Sequence, residues 1–242
     1  MLLIHGLFGS LDNLAMLRRE LSSDFNIVSI DLPDHGKSQR SSRFSFEQYA
    51  ESIIYLLNKL SISKATIVGH SLGGKVAMQI ALTNENLVEA LVVLDIAPVA
   101  YTPRHKSVFN ALLNVNLQQI TERKEANNIM AEYITEPSVR QFLLKSLYQD
   151  NKTQSWHWRF NLDLLYRDYS LLSEALNIEH SYNKPVMFLK GELSDYLQPQ
   201  YTKHTIALFP KSRVRVVQGA GHWLHAEKPA ECAKHIRTFL RN

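Results

Sequence analysis

The sequence predicts an α/β fold: a mostly parallel six-stranded sheet flanked by helices, with a helical cap inserted late in the chain. Three observations carry this reading. Short β-branched runs alternate with longer amphipathic runs through the first hundred residues, the alternation stops near residue 98, and it resumes near residue 183. Strand and helix in strict alternation are the mark of a doubly wound parallel sheet.

The elements follow in order. Residues 2–4 read as a strand, 11–21 as a helix, 26–30 as a strand and 45–60 as a helix. In the last of these, Ser45 and Gln48 form a capping box, and Phe46, Tyr49, Ile53, Leu57 and Leu60 fall on one face that must pack on the sheet. Residues 65–68 and 91–94 are continuous apolar strands around a helix over 72–82. From 98 to 182 only helical patterns remain, at 108–117, 122–134, 139–148 and 162–176. The α/β rhythm returns with strands at 185–189 and 214–217 and helices at 201–209 and 230–240. The expected organisation is a core of residues 1–97 and 183–242 with a cap of residues 98–182.

Composition narrows the classes. With 45% hydrophobic and 21% charged residues over 242 positions, the chain buries a sizeable core, and disorder, collagen-like repeats and coiled coil are excluded. The net charge, 27 − 23 = +4, comes from scattered basic residues, so neither nucleic acid nor an anionic membrane is an expected partner. The single cysteine, Cys232, rules out an intrachain disulfide framework and a cysteine zinc site. No apolar run approaches the roughly 18 residues of a membrane span, and the N-terminus lacks the features of a signal peptide. A soluble, cytoplasmic protein is expected. Nothing in the sequence sets an oligomeric state.

One segment points to chemistry. Residues 65–75 read strand, then Gly69-His70-Ser71-Leu72-Gly73, then helix, the G-x-S-x-G pattern of a nucleophile elbow. Glycines at 69 and 73 avoid backbone clashes, and the turn lifts the Ser71 hydroxyl above the sheet at the positive end of a helix. A serine hydroxyl needs an imidazole to take its proton. Among ten histidines, His222 stands out: it lies in Gly219-Ala220-Gly221-His222-Trp223, after the last strand and downstream of the serine. His5, His35 and His70 read as mainly structural, and His225 as packing. Charge developing on an attacked carbonyl oxygen needs amide donors. Leu72 supplies one, and the glycine turn His5-Gly6-Leu7-Phe8-Gly9-Ser10 supplies the other from Leu7, with Phe8 as the second choice. A carboxylate must orient the histidine, and both Asp95 and Asp195 lie just past strand ends, so spacing alone does not choose.

These segments, together with Asp31 to Ser38, Asp95-Ile96-Ala97-Pro98-Val99 and Trp158-Arg159-Phe160-Asn161-Leu162, resemble the α/β-hydrolase superfamily, and within it the YbfF-like carboxylesterases of bacteria and their mitochondrial abhydrolase relatives. The resemblance covers nearly the whole chain. In most of that superfamily the acid stands three residues past the glycine that ends the penultimate strand, and here that slot holds Ser194. In the branch this chain resembles, the acid follows the preceding strand, which implies Asp95, with Ser194 placed near the histidine. The antiparallel hairpin that usually opens the fold is expected to be missing, because residues 2–4 lead directly into the His-Gly turn.

The resemblance implies a serine carboxylesterase that hydrolyses short to medium acyl esters through an acyl-enzyme, with acyl-thioesters or carbon–carbon bonds as alternative substrates of the same triad. A non-catalytic ligand-binding protein on this fold is the reading from another class. A serine at the elbow excludes the dehalogenase and epoxide hydrolase branches, which use aspartate there. With no metal cluster or dinucleotide fingerprint, no cofactor is expected. Phe8, Trp156, Trp158, Phe160 and Tyr166 are candidate walls of an apolar acyl pocket or ordinary core residues. Lys75 and Arg159 are candidates for an anionic substrate group or for a structural ion pair.

Overall fold

A computed structural model describes residues 1–241. Its strands, in chain order, are β1 (Leu2–Ile4), β2 (Val28–Ile30), β3 (Ala65–His70), β4 (Val88–Leu94), β5 (Leu147–Gln149), β6 (Trp156–Trp158), β7 (Val186–Gly191) and β8 (Ser212–Val217). Six of them make one parallel sheet in the order β2-β1-β3-β4-β7-β8. The chain runs outward from β1 to β2 and then returns to β3 on the other side of β1. This reversal opens a crevice at the C-terminal ends of β1 and β3, where open α/β sheets place their ligands.

The central strands β1, β3, β4 and β7 are largely buried on both faces, their side chains alternating between two cores, while the edge strand β8 is mostly exposed. Leu2, Ile4, Ile67, Leu91, Val93 and Phe188 face one layer, which includes α2 (Phe46–Lys59) and α3 (Leu72–Thr83). Leu3, Val68, Val92, Met187 and Leu189 face the other, formed by α1 (Ala15–Leu21), α10 (Leu224–Glu227) and α11 (Pro229–Arg241). Helix α2 follows its sequence pattern: Ser45 Oγ accepts the Gln48 amide at 3.1 Å, and Phe46, Tyr49, Ile53 and Leu57 are buried. Leu60, at the end of the same stripe, is exposed because the helix stops at Lys59.

Residues between β4 and β7 fold as α4 (Lys106–Asn114), α5 (Arg123–Ala131), α6 (Pro137–Leu144), α7 (Leu162–Arg167) and α8 (Tyr169–Ser173), with α9 (Thr202–Leu208) following β7. Two expectations fail in this stretch. The helix expected over 139–148 stops at Leu144, and β5 pairs with β6 as an antiparallel hairpin. Asp150 makes its turn by accepting the Lys152 and Thr153 amides at 2.9 Å each, and the pairing sets Leu147 against Trp158 in the core. The single helix expected over 162–176 is two short helices broken at Asp168. There the Asp168 carboxylate accepts the Phe44 amide at 2.8 Å, tying this segment to the loop before α2. Further ties run from Asn161 Nδ2 to Asp34 Oδ1 at 2.8 Å and from Ser146 Oγ to the Phe8 carbonyl at 3.0 Å. Among the described residues no helix is long and apolar enough to cross a membrane.

Candidate active site

Ser71 occupies the tight turn from β3 into α3 with φ 52 and ψ −118, a conformation that costs a non-glycine residue on the order of 1–3 kcal/mol. The neighbouring glycines are obligatory. A β-carbon at Gly69 would overlap the Gly73 backbone, and one at Gly73 would overlap the carbonyls of Ile4 and His5. The elbow therefore lies directly against the end of β1. The Ser71 amide donates to the Leu94 carbonyl at 3.1 Å, which fixes the turn to β4.

His222 follows β8 on the expected loop. Its Nδ1 lies 2.7 Å from Asp95 Oδ2. Asp95 ends β4, is fully buried and has φ 55. Its other oxygen accepts the Gly191 amide at 3.0 Å, and Ser194 Oγ donates to the Oδ2 that meets His222. Asp195 is elsewhere: its carboxylate is exposed and pairs with Arg104 at 2.6 Å. Of the two aspartates that spacing left open, Asp95 is the one in contact with His222, and Ser194 sits on its buried carboxylate. His222 and Ser71 line one cavity, although no hydrogen bond joins them in this conformation among the described residues. Such contacts are often loose before substrate binds.

The surrounding histidines hold this one in place. His70 donates Nε2–H to the His222 carbonyl at 2.9 Å, so the residue before the nucleophile anchors the loop of the candidate base. Tyr196 stacks on the His222 ring at 4.0 Å. Burial pushes His70 well below the ordinary imidazole range, His5 and His225 to about 3, and His105 to about 4. All four stay neutral at pH 7, while His222, partly buried, holds its carboxylate at 2.7 Å, much closer than the 4.0 Å between His5 and Asp31.

The same neutral histidines select the amide donors. His35 Nε2 accepts the Phe8 amide at 3.2 Å, and His5 Nε2 accepts the Leu32 amide at 3.0 Å. Phe8 is consequently unavailable as a second donor. The Leu7 and Leu72 amides have no acceptor in the protein among the described residues, and both residues line a cavity with Ser71. Phe8, at φ 62, packs edge-on against Phe109 and Phe160 and lines the second cavity beside the serine.

Two cavities meet at Ser71. One, about 50 Å³, is bounded by Leu72, Lys75, Tyr101, Arg104, Tyr169 and Tyr196. The other, about 60 Å³, is bounded by His222, Phe8, Val108, Val139, Phe142 and Trp223. Trp158 and Arg159 reach neither. Trp158, the last residue of β6, is buried in a stack on Phe160 with centroids 5.3 Å apart, and Arg159, the next residue, lies over Tyr148 at 4.4 Å. Arg104, Tyr169, Phe142 and Tyr196 line the site without any motif to announce them. Among the described residues no group of three His, Cys, Asp or Glu side chains is arranged to hold a metal ion.

Comparison with known proteins agrees with this fold. The profile of the alpha/beta hydrolase fold family matches residues 1–229. Esterase YbfF of Escherichia coli (strain K12) is 38% identical over 241 residues, covering 99% of this chain and 92% of that protein. The sn-1-specific diacylglycerol lipase ABHD11 of Mus musculus is 34% identical, covering 98% of this chain and 79% of that protein. Among solved structures, a marine microorganism esterase superposes with a TM-score of 0.95 at 31% identity, covering 98% of this chain and 94% of that one.

Proposed function

Given that this chain belongs to the α/β-hydrolase family, we propose that it is a serine carboxylesterase whose nucleophile is Ser71, whose general base is His222 and whose orienting acid is Asp95. The observation that carries the assignment is the 2.7 Å contact from a fully buried Asp95 to His222, in a cavity shared with a serine held at positive φ.

The geometry serves ester hydrolysis step by step. Asp95 accepts the Nδ1 proton of His222, leaving Nε2 as the basic nitrogen. As Ser71 Oγ attacks the carbonyl carbon, its proton passes to Nε2 and the carbonyl oxygen takes the negative charge. The Leu7 and Leu72 amides donate to that oxygen in place of water. Collapse of the tetrahedral adduct breaks the bond to the alcohol oxygen, which leaves with the proton from Nε2. Water then attacks the acyl-enzyme, again giving its proton to His222, and collapse restores the Ser71 hydroxyl and releases the acid. One ester and one water become one acid and one alcohol.

The segment from 98 to 182 acts in this reading as the cap that closes both cavities, through Arg104, Val108, Phe142 and Tyr169. A single cysteine, Cys232, which can make no intrachain disulfide, suits the cytoplasmic location this reading places it in. The test is labelling with a fluorophosphonate followed by mass spectrometry. The adduct is expected on Ser71 alone, with ester hydrolysis lost in parallel; modification elsewhere with Ser71 untouched overturns the assignment.

A further inference from the structure

The two cavities at Ser71 differ in chemistry, and the position of His222 says which part of a substrate each receives. His222 must hand a proton to the departing alcohol, so the leaving group lies on its side, in the cavity walled by Val108, Val139, Phe142 and Trp223. The stacked Tyr196 ring screens His222 from the other cavity, which borders the Leu72 amide and therefore takes the acyl group.

That acyl cavity contains a cation with no carboxylate in contact, the charge of Glu174 reaching it only at longer range. Lys75 stands one helical turn after Ser71 on α3, on the same face, and is 2% exposed. Two of its three N–H groups go to the carbonyls of Ser173, at 3.3 Å, and Glu174, at the end of α8. The aromatic faces of Tyr101 and Phe46 lie 5.2 and 5.5 Å away. Among the described residues no carboxylate comes within 4.0 Å of it, and no Asp or Glu lines the cavity. Of the other polar side chains there, Tyr101 OH donates to the Tyr196 carbonyl at 2.6 Å, Tyr169 OH is held by the Arg104 and His105 amides, and Arg104 faces Asp195. A buried ammonium without a counterion is costly, and a carboxylate arriving beside it regains that cost.

We propose that the enzyme's preferred substrates are monoesters of short dicarboxylic acids, the free carboxylate being received by Lys75 at the inner end of the acyl cavity. This deepens the esterase reading and rests on it. A volume of about 50 Å³ admits a short chain only. Ser71 and Lys75 both border this cavity, and its size limits the link between the scissile carbonyl and the carboxylate to a few methylenes. A neutral acyl group of equal length would leave the ammonium bare.

The experiment compares monomethyl succinate with methyl butyrate, which share chain length and leaving group, by pH-stat at pH 7. For the wild type, kcat/KM is expected to favour the half-ester at least tenfold. In Lys75→Met the ratio of the two values is expected to fall at least thirtyfold. Binding is read separately, as the rise in Tm given by succinate over butyrate in wild type and in Ser71→Ala; that excess is expected to vanish in Lys75→Met or, if that variant does not fold, in Lys75→Gln. Methyl butyrate turned over as well as the half-ester, or a ratio unmoved by the Lys75 substitutions, overturns the proposal. If neither ester is cleaved yet succinate binds through Lys75, the anion site stands and the esterase reading falls. If both esters are cleaved and succinate binds no better than butyrate, the esterase reading stands and the anion site falls.

Discussion

Replacing Asp95 by asparagine tests the orienting carboxylate most sharply, because its hydrogen bonds leave the amide one comfortable orientation. In the wild type, Oδ1 accepts the Gly191 amide at 3.0 Å, while Oδ2 accepts from His222 Nδ1 at 2.7 Å and from Ser194. If the asparagine oxygen faced His222, its NH2 would meet the Gly191 N–H, leaving two buried donors unsatisfied at about 1–3 kcal/mol each. With the oxygen on Gly191, the NH2 instead faces His222 and Ser194, whose hydroxyl accepts it. The second arrangement wins, and it forces the proton of His222 onto Nε2, the nitrogen that must be bare to activate Ser71. The wrong tautomer costs about four orders of magnitude in kcat, or about 5 kcal/mol of transition-state stabilisation. The assay is steady-state hydrolysis of a chromogenic ester by folded Asp95→Asn, with circular dichroism to verify folding. Adding Ser194→Asp should recover at least tenfold, whereas Asp195→Asn should change kcat by less than about threefold, since its partner Arg104 lies in an exposed ion pair. A folded Asp95→Asn retaining a tenth of wild-type activity, or a disabling Asp195→Asn, refutes the reasoning.

The remaining expectations concern the scaffold of the site. Burial pushes Lys75 down to about 7 from 10.5, against the opposing pull of Glu174. The unfolded chain therefore binds the extra proton between those values, so the wild type should gain stability relative to Lys75→Met as pH rises from 7 to 10, measured by urea unfolding at both ends. Gly73→Ala should fail to fold or lose more than about 3 kcal/mol because its methyl meets the β1 backbone, whereas Gly219→Ala, with open space but φ 63, should cost about 1 kcal/mol by the same measurement. Phe142→Ala should shift alcohol-group selectivity in kcat/KM, while Trp158→Ala should lower stability by about 3–5 kcal/mol without moving that selectivity.

Legibility in the sequence followed locality. The elbow was readable because Gly69, Ser71 and Gly73 encode their geometry within five residues. The parallel strands were readable because β1, β4 and β7 are mostly apolar runs and β2, β3 and β8 carry β-branched residues between turns. Asp95 needed more: two aspartates past two strand ends are equivalent on paper, and the resemblance to a family and the contact with His222 are what support proposing Asp95. Trp158 misled because an aromatic beside a helix-like pattern looks the same whether it walls a pocket or plugs a core; its partner across the hairpin, Leu147, makes it a plug. Arg104, Tyr169 and Phe142 carried no signal, since helices packed from outside the sheet bring them to Ser71.

The neutral histidines packed around the catalytic loop also set how the protein meets acid. His5, His35, His70, His105 and His225 are all held below 6.5 by burial, so unfolding lets each take up a proton as the medium drops beneath that value. Stability then falls with decreasing pH, by up to about 7 kcal/mol per pH unit if all five respond together. A domain holding on the order of 5–15 kcal/mol has little room against such a slope. The acid limb of the activity profile should therefore be steep and multi-proton, coinciding with loss of near-ultraviolet dichroism: a collapse of the building rather than the titration of one group.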